Sequence, residues 1–275
     1  NIVLIVMDTL RADRLSCYEY PKETTPNLDA LAARGLLYEE ARATSSWTWP
    51  STASILTGLH PQTHGVVSDG RCYLDARLQS LPEVLEERSY TTVAFTCNPL
   101  IVPNKNFHQG FENFDSYPTF RKSDVVLGTI KNFMKQYAGT RFFMYLHLVD
   151  PHDKYQLTDT ARDRVGLPDQ PPGGSLPKSF KDIRSSLLQG RGHDDQGLLD
   201  TDQVLSTEYQ EWIKLSYDAA VATADDYVGE IVAELSALGL TEETIIVFTS
   251  DHGEELFEHG HLAHGQSLHE ELVRV

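Results

Sequence analysis

Three short apolar runs, Ile2 to Met7, Phe142 to Leu148 and Ile245 to Phe248, each stop at a polar cluster: Asp8-Thr9, Asp150-Pro151-His152 and Asp251-His252. Continuous runs rich in Val, Ile, Leu and Phe read as strands covered on both faces, so the chain has to place helices over both sides of a sheet. The runs are far shorter than the roughly 20 residues that cross a bilayer, and no membrane span is expected. If the strands are parallel neighbours, the three clusters meet at the carboxyl edge of the sheet, where α/β folds carry their sites.

The intervening segments supply the helices. Thr25-Pro26 offers an N-cap and a first-turn proline, with Leu28, Leu31 and Ala32 at helical spacing and Gly35 as the terminating glycine. Ser80-x-x-Glu83 with Pro82 is a capping box ahead of the β-rich run Thr91 to Phe95. A helix over 124–138 leads into a strand over 141–149, and a long helix over 208–238, closed by Gly239, feeds a strand over 244–249. Residues 156–206, rich in Pro, Gly, Asp and Ser, are expected to form a surface insertion over the site. The alternation predicts one α/β domain over 1–275, a three-layer α/β/α sandwich with a mainly parallel central sheet.

Charge and cysteines narrow the partners. Lys and Arg number 23 against 40 Asp and Glu, a net charge of −17, so nucleic acid and anionic membrane surfaces are poor partners. A small anionic substrate has to be drawn in locally, by a cation or a helix end. The three cysteines, Cys17, Cys72 and Cys97, are too scattered for a disulfide framework or a zinc ribbon, which favours a reducing, cytoplasmic setting. The chain opens inside an apolar run and stops at Arg274-Val275 without a terminating signal, so a targeting segment or tail is expected to have been trimmed away. Oligomeric state is not legible.

Asp8 and the pair Asp251-His252 offer two carboxylates and an imidazole, a donor set for a divalent cation of hard or borderline character. Each acid taken alone could instead end a strand or cap a helix. In the segment from Ser45 to Gly58, Pro50 reads as the first position of a short helix, with Thr48 just ahead of it. A hydroxyl there faces unpaired amides and the positive end of the helix dipole, which favour an alkoxide and an incoming anion. The simpler alternative is that Thr48 or Ser46 only caps the helix.

These elements together resemble the sulfatase branch of the alkaline phosphatase superfamily. The resemblance is carried by Asp8-Thr9-Leu10-Arg11, Thr25-Pro26-Asn27-Leu28, Thr48-x-Pro50-Ser51 through Leu56-Thr57-Gly58, His64-Gly65, Asp150-Pro151-His152 and Ser250-Asp251-His252-Gly253-Glu254. It implies an alkaline phosphatase-like fold in which a metal-bound nucleophile attacks a sulfuryl or phosphoryl centre. By position, Asp8, Asp251 and His252 would be metal ligands, and Thr48 both ligand and nucleophile. His152 would face the leaving oxygen. One divalent cation is expected, Mn, Zn, Ca or Mg. The family continues beyond the Arg274-Val275 position with a smaller C-terminal subdomain, which is expected to be absent from this chain.

Two departures bear on substrate. Sulfatases proper carry Cys or Ser, converted to formylglycine, where Thr48 stands, and Arg where Thr52 stands; Thr9 replaces an acidic ligand. Threonine cannot become formylglycine. A Thr48 ester has to be cleaved by water arriving in line, which suits phosphoryl better than sulfuryl transfer, so a phosphate monoesterase or phosphodiesterase is expected. The alternatives are a degenerate relative that binds metal and anion without turnover, and a phosphoryl-group transferase.

Residues Glu254, Glu255, Glu258, His259, His261, His264 and His269 are dense in metal-capable side chains. His264, with Asp150 and His152, could contact substrate or hold a second metal; the bland reading is a solvated acidic loop. Trp47 and Trp49 flank Thr48 as pocket wall or packing, and Asn98 and Tyr155 follow strand ends within possible reach of substrate. Arg11 could pair an anion, whereas Arg14 reads as structural, and Asp218, Asp225 and Asp226 read as a polar helix face.

Overall fold

The computed structural model describes residues 1–67, 73–173 and 206–275. Five parallel strands form one sheet in the order β3-β2-β4-β1-β5: β1 Ile2–Met7, β2 Thr91–Thr96, β3 Asn113–Ser116, β4 Phe142–Leu148 and β5 Ile245–Ser250. Strand side chains alternate between two cores. Val3, Ile5, Met7, Phe142, Met144 and Leu146 pack toward α5 (Ser123–Tyr137) and α7 (Thr207–Ala237). Leu4, Val6, Ala94, Phe143 and Tyr145 pack toward α2 (Thr48–Thr57) and α4 (Leu81–Glu86). The result is the expected three-layer α/β/α sandwich around a parallel central sheet. No helix among the described residues is long and apolar enough to cross a membrane.

The capping box forms as read, with the Ser80 hydroxyl and Glu83 carboxylate exchanging bonds with each other's amides. Gly239, at φ +71°, closes the long helix. Several expectations need correction. Helix α1 (Pro26–Ala32) is not capped by the Thr25 side chain, and Gly35, outside the left-handed region, does not terminate it. The cap comes from Asp225, 198 residues on: its carboxylate accepts the amides of Asn27 at 3.0 Å and Leu28 at 2.8 Å. Asp218 is likewise no solvent face. It is fully buried and accepts from Lys22 at 2.7 Å, Tyr20 at 2.6 Å and Arg14 at 3.3 Å. The small residues Ala219, Ala220, Ala222 and Ala224 bring neighbouring elements close around α7, which is why its polar residues end up enclosed. Only Asp226 of the three is partly exposed, paired with Arg164 at 2.7 Å.

Strand β5 is one of the two edge strands of the sheet, and its Ile245 and Val247 are exposed and not covered on both faces. Of the expected insertion, the first part is ordered by a helix the composition concealed, α6 (Asp159–Val165), capped by Thr158 and seated on α7 through Ala161 and Val165. Residues 174–205 and Cys72 lie outside the described residues.

Asp225→Ala is expected to cost about 2 kcal/mol, because it leaves two buried amides without an acceptor. Scanning calorimetry should then read a Tm lower by roughly 4 to 8 °C. An unchanged Tm would show that α1 does not depend on this cap.

Candidate active site

Strand β1 lies between β4 and β5, with Met7 level with both Leu148 and Ser250. Asp8 and Asp251 are therefore the first residues past adjacent strand ends. The Asp8 amide donates to the Leu148 carbonyl at 2.9 Å and the Asp251 amide to the Met7 carbonyl at 3.3 Å, which fixes the two carboxylates beside each other. Thr9 then turns the chain at φ +62°, a strained value for a β-branched residue. The turn is held from both sides: its amide donates to Asp251 Oδ1 at 3.3 Å, and its carbonyl accepts from the Tyr217 hydroxyl at 2.6 Å.

The His252 ring is oriented by its own loop. Nδ1–H donates to the Gly253 carbonyl at 2.9 Å, which leaves the Nε2 lone pair for a ligand. That atom lies 3.7 Å from Asp8 Oδ1, 3.6 Å from Asp251 Oδ2 and 3.4 Å from Thr48 Oγ1. Thr48 is itself the first residue of α2 and Pro50 the third, so the hydroxyl sits inside the first turn and not ahead of it. Proline at the third position removes one first-turn amide, and the amides of Thr48 and Trp49 have no acceptor within the helix. Thr48, Asp8, Asp251 and His252 are all buried.

A divalent cation fits this arrangement. One ligand atom each from Asp8, Asp251 and His252 lies within 4.8 Å of the others, and Asp8 Oδ1 and Asp251 Oδ2 are buried without a donor among the described residues. Two unpartnered carboxylate oxygens in a closed site are costly, and a cation between them removes the cost. Burial, with Asp251 close by, pushes Asp8 up to about 6. Burial pushes Asp251 up to about 7. Burial together with the nearby His264 ring lowers His252 to about 4, so its imidazole is neutral and able to ligate.

The histidines expected at the site do approach it. His264 Nδ1–H donates to Glu254 Oε1 at 2.9 Å, its ring 4.5 Å from His252 and 5.3 Å from His152. His152 stacks on Phe120 at 4.8 Å and bonds through Nδ1 to the Asp153 carbonyl. Burial disfavours its charge, but Asp8 and Glu254 outweigh that and raise its pKa. Asp150 goes elsewhere: its carboxylate accepts the Ser123 amide at 3.4 Å at the start of α5. Among the described residues no three-ligand group contains Asp150, His152 or His264.

Arg11 is not free for an anion. It grips Asp13 at 2.7 Å, Glu258 at 2.7 Å and the Glu254 carbonyl at 3.0 Å. Trp49 is packing, its indole N–H donating to the Leu100 carbonyl at 2.8 Å, while Trp47 lies against the Gly265 loop beside His264. Asn98 does not reach outward, because its amide donates to Asp8 Oδ2 at 2.5 Å. Tyr155 packs edge-on against Tyr217.

Sequence reasoning passed over His147. It is fully buried within β4, with Nδ1 bonded to the Tyr145 hydroxyl at 2.8 Å and Nε2 3.7 Å from Asp251 and 4.0 Å from Asp8. Burial, then the neighbouring His252, pushes it down to about 3, so a neutral imidazole underlies the carboxylate pair. The one signal for it was a polar residue interrupting an otherwise apolar strand.

The Sulfatase family profile matches residues 1–275, the whole chain. The chain belongs to the sulfatase family. Iduronate 2-sulfatase of Mus musculus is 25% identical over 310 residues, covering 96% of this chain and 56% of its own length. The chain thus spans little more than half of that relative. Among solved structures, phosphonate monoester hydrolase of Agrobacterium radiobacter superposes with a TM-score of 0.71 at 19% identity, covering 99% of this chain and 66% of its own. The C-terminal periplasmic domain of EcEptC from Escherichia coli, solved in complex with Zn, gives 0.63 at 19% identity, with 96% and 67% covered. These likenesses show the sulfatase fold.

Proposed function

We propose that this sulfatase-family protein hydrolyses a small anionic ester, a phosphate mono- or diester in preference to a sulfate, through a covalent ester on Thr48. The observation that carries the reading is the Thr48 hydroxyl at 3.4 Å from His252 Nε2, at the open start of α2 and beside two carboxylates that each keep one oxygen without a donor among the described residues. When bound, a divalent cation held by Asp8, Asp251 and His252 supplies the Lewis acidity that makes a threonine hydroxyl a nucleophile near neutral pH. A neighbour of this fold solved with zinc is consistent with a borderline cation.

The residues divide the work. Thr48 Oγ, its proton passed to solvent, attacks phosphorus in line, forming the Oγ–P bond as the bond to the leaving oxygen breaks. The start of α2 turns its free amides toward the charge that develops. His152, whose pKa Asp8 and Glu254 raise against the opposing effect of burial, gives its proton to the leaving oxygen. It then takes a proton from the water that attacks the same phosphorus; the Oγ–P bond breaks, phosphate leaves, and Thr48 Oγ regains a proton from solvent. An aldehyde hydrate would expel sulfate without attack at sulfur; a threonyl ester has no such route, which favours phosphorus.

The test compares p-nitrophenyl phosphate, bis(p-nitrophenyl) phosphate and p-nitrophenyl sulfate with metal-stripped protein refilled with Zn, Mn or Ca. At least one phosphate ester is expected to turn over at least ~100-fold faster than the sulfate, and only with metal. A faster sulfate would overturn the substrate assignment, and no turnover with metal bound would favour the degenerate reading.

A further inference from the structure

The segment from Glu254 to Glu271 holds more metal-capable side chains than the catalytic cluster uses, and the structure sorts them. Glu254 holds His264 against His252 on the catalytic side. Glu258 is occupied by Arg11 at 2.7 Å and the Leu256 amide at 2.7 Å. Of those that remain, Glu255, His259 and His269 come together, with one ligand atom of each within 4.8 Å of the others.

Glu255 opens strand β6 (Glu255–Leu256), which pairs with β7 (Leu262–Ala263). Consecutive residues of an extended segment face opposite ways, so Glu255 turns from the catalytic side that Glu254 serves. It is completely buried. Its Oε2 accepts from Ser267 at 3.4 Å, while Oε1 has no hydrogen-bond partner among the described residues. A buried carboxylate oxygen without a donor needs a cation or a proton. Two imidazoles meet it: the rings of His259 and His269 lie parallel with centroids 3.7 Å apart. Glu271 Oε2 sits 3.3 Å from His259 Nε2, the pattern by which a carboxylate fixes one ring nitrogen and leaves the other as a ligand.

We propose that Glu255, His259 and His269 form a second divalent-metal site, distinct from the catalytic cluster. One carboxylate and two imidazoles make a nitrogen-rich donor set suited to zinc and poorly suited to calcium or magnesium. The ion ties β6 to the loop before α8 (Glu270–Val273).

The experiment titrates the metal-stripped chain with Zn²⁺ and counts bound equivalents by elemental analysis and calorimetry. Wild type is expected to bind two, and His259→Ala/His269→Ala one, with ester turnover retained. Asp251→Asn, which damages the catalytic cluster, is expected to keep the second equivalent and lose turnover, separating this site from the proposed chemistry. Should the double variant not fold, exposed His269 can be replaced alone. One equivalent in wild type, or two in the His269 variant, overturns the proposal.

Discussion

Thr48→Ala is expected to lower kcat on the preferred ester by about 10⁴-fold or more while the catalytic metal stays bound. Removing a nucleophile removes the covalent route altogether, and such losses in hydrolases run to roughly 10⁴–10⁶. Metal is retained because Asp8, Asp251 and His252 are positioned by strand ends and loop bonds that do not involve Thr48. Thr48→Ser is the control. It keeps the hydroxyl at the first position of α2, and its activity should lie far nearer wild type than to the alanine variant. Single-turnover assays with a phosphodiester, followed by a search for phosphate on residue 48, read the covalent step directly. Full activity in Thr48→Ala would leave a metal-activated water as the nucleophile and end the threonyl mechanism.

What could be read in advance was what is local. Asp8, Asp251 and His252 stand just past strand ends, and Thr48 stands at a helix start; hydrophobic runs and a proline mark such places in the chain itself. Asp150 carried the same mark and ended at the α5 start, because a carboxylate two residues past Leu148 finds the Ser123 amide before it reaches the cluster. His147 carried no mark beyond its polarity. Its place beneath Asp8 and Asp251 follows from β4 and β5 both pairing with β1, a juxtaposition that no window of sequence contains. Asp225 taught the same lesson for stability, since the acceptor for the α1 amides arrives from a helix 198 residues away. Arg11 was ambiguous for a related reason: its partners Glu254 and Glu258 lie across the fold.

Zinc affinity of the catalytic cluster is expected to fall about 100-fold between about pH 7.5 and about pH 5.5, because two protons have to leave the carboxylates as the ion enters. Without metal, burial raises Asp8 to about 6 and Asp251 to about 7. Both therefore hold protons at the acid end of that range, and the ion has to displace them. The imidazoles add nothing, since burial lowers His252 to about 4 and His147 to about 3. Folding stability of the metal-free chain hides this. Acids with raised pKa favour the fold below about 4 and lose that contribution as pH rises through about 6 and 7. Buried neutral histidines contribute above about 6.5 and lose it as pH falls through about 4 and 3, so over the shared range the two trends oppose. Metal binding has no such cancellation. Calorimetry at about pH 5.5 in buffers of different ionisation enthalpy, on His259→Ala/His269→Ala so that only the catalytic cluster titrates, should count nearly two protons released per zinc. Ordinary carboxylates beside an ordinary histidine would release about one, from the imidazole, and that count would mean the Asp8–Asp251 pair is already ionised and hydrated before metal arrives.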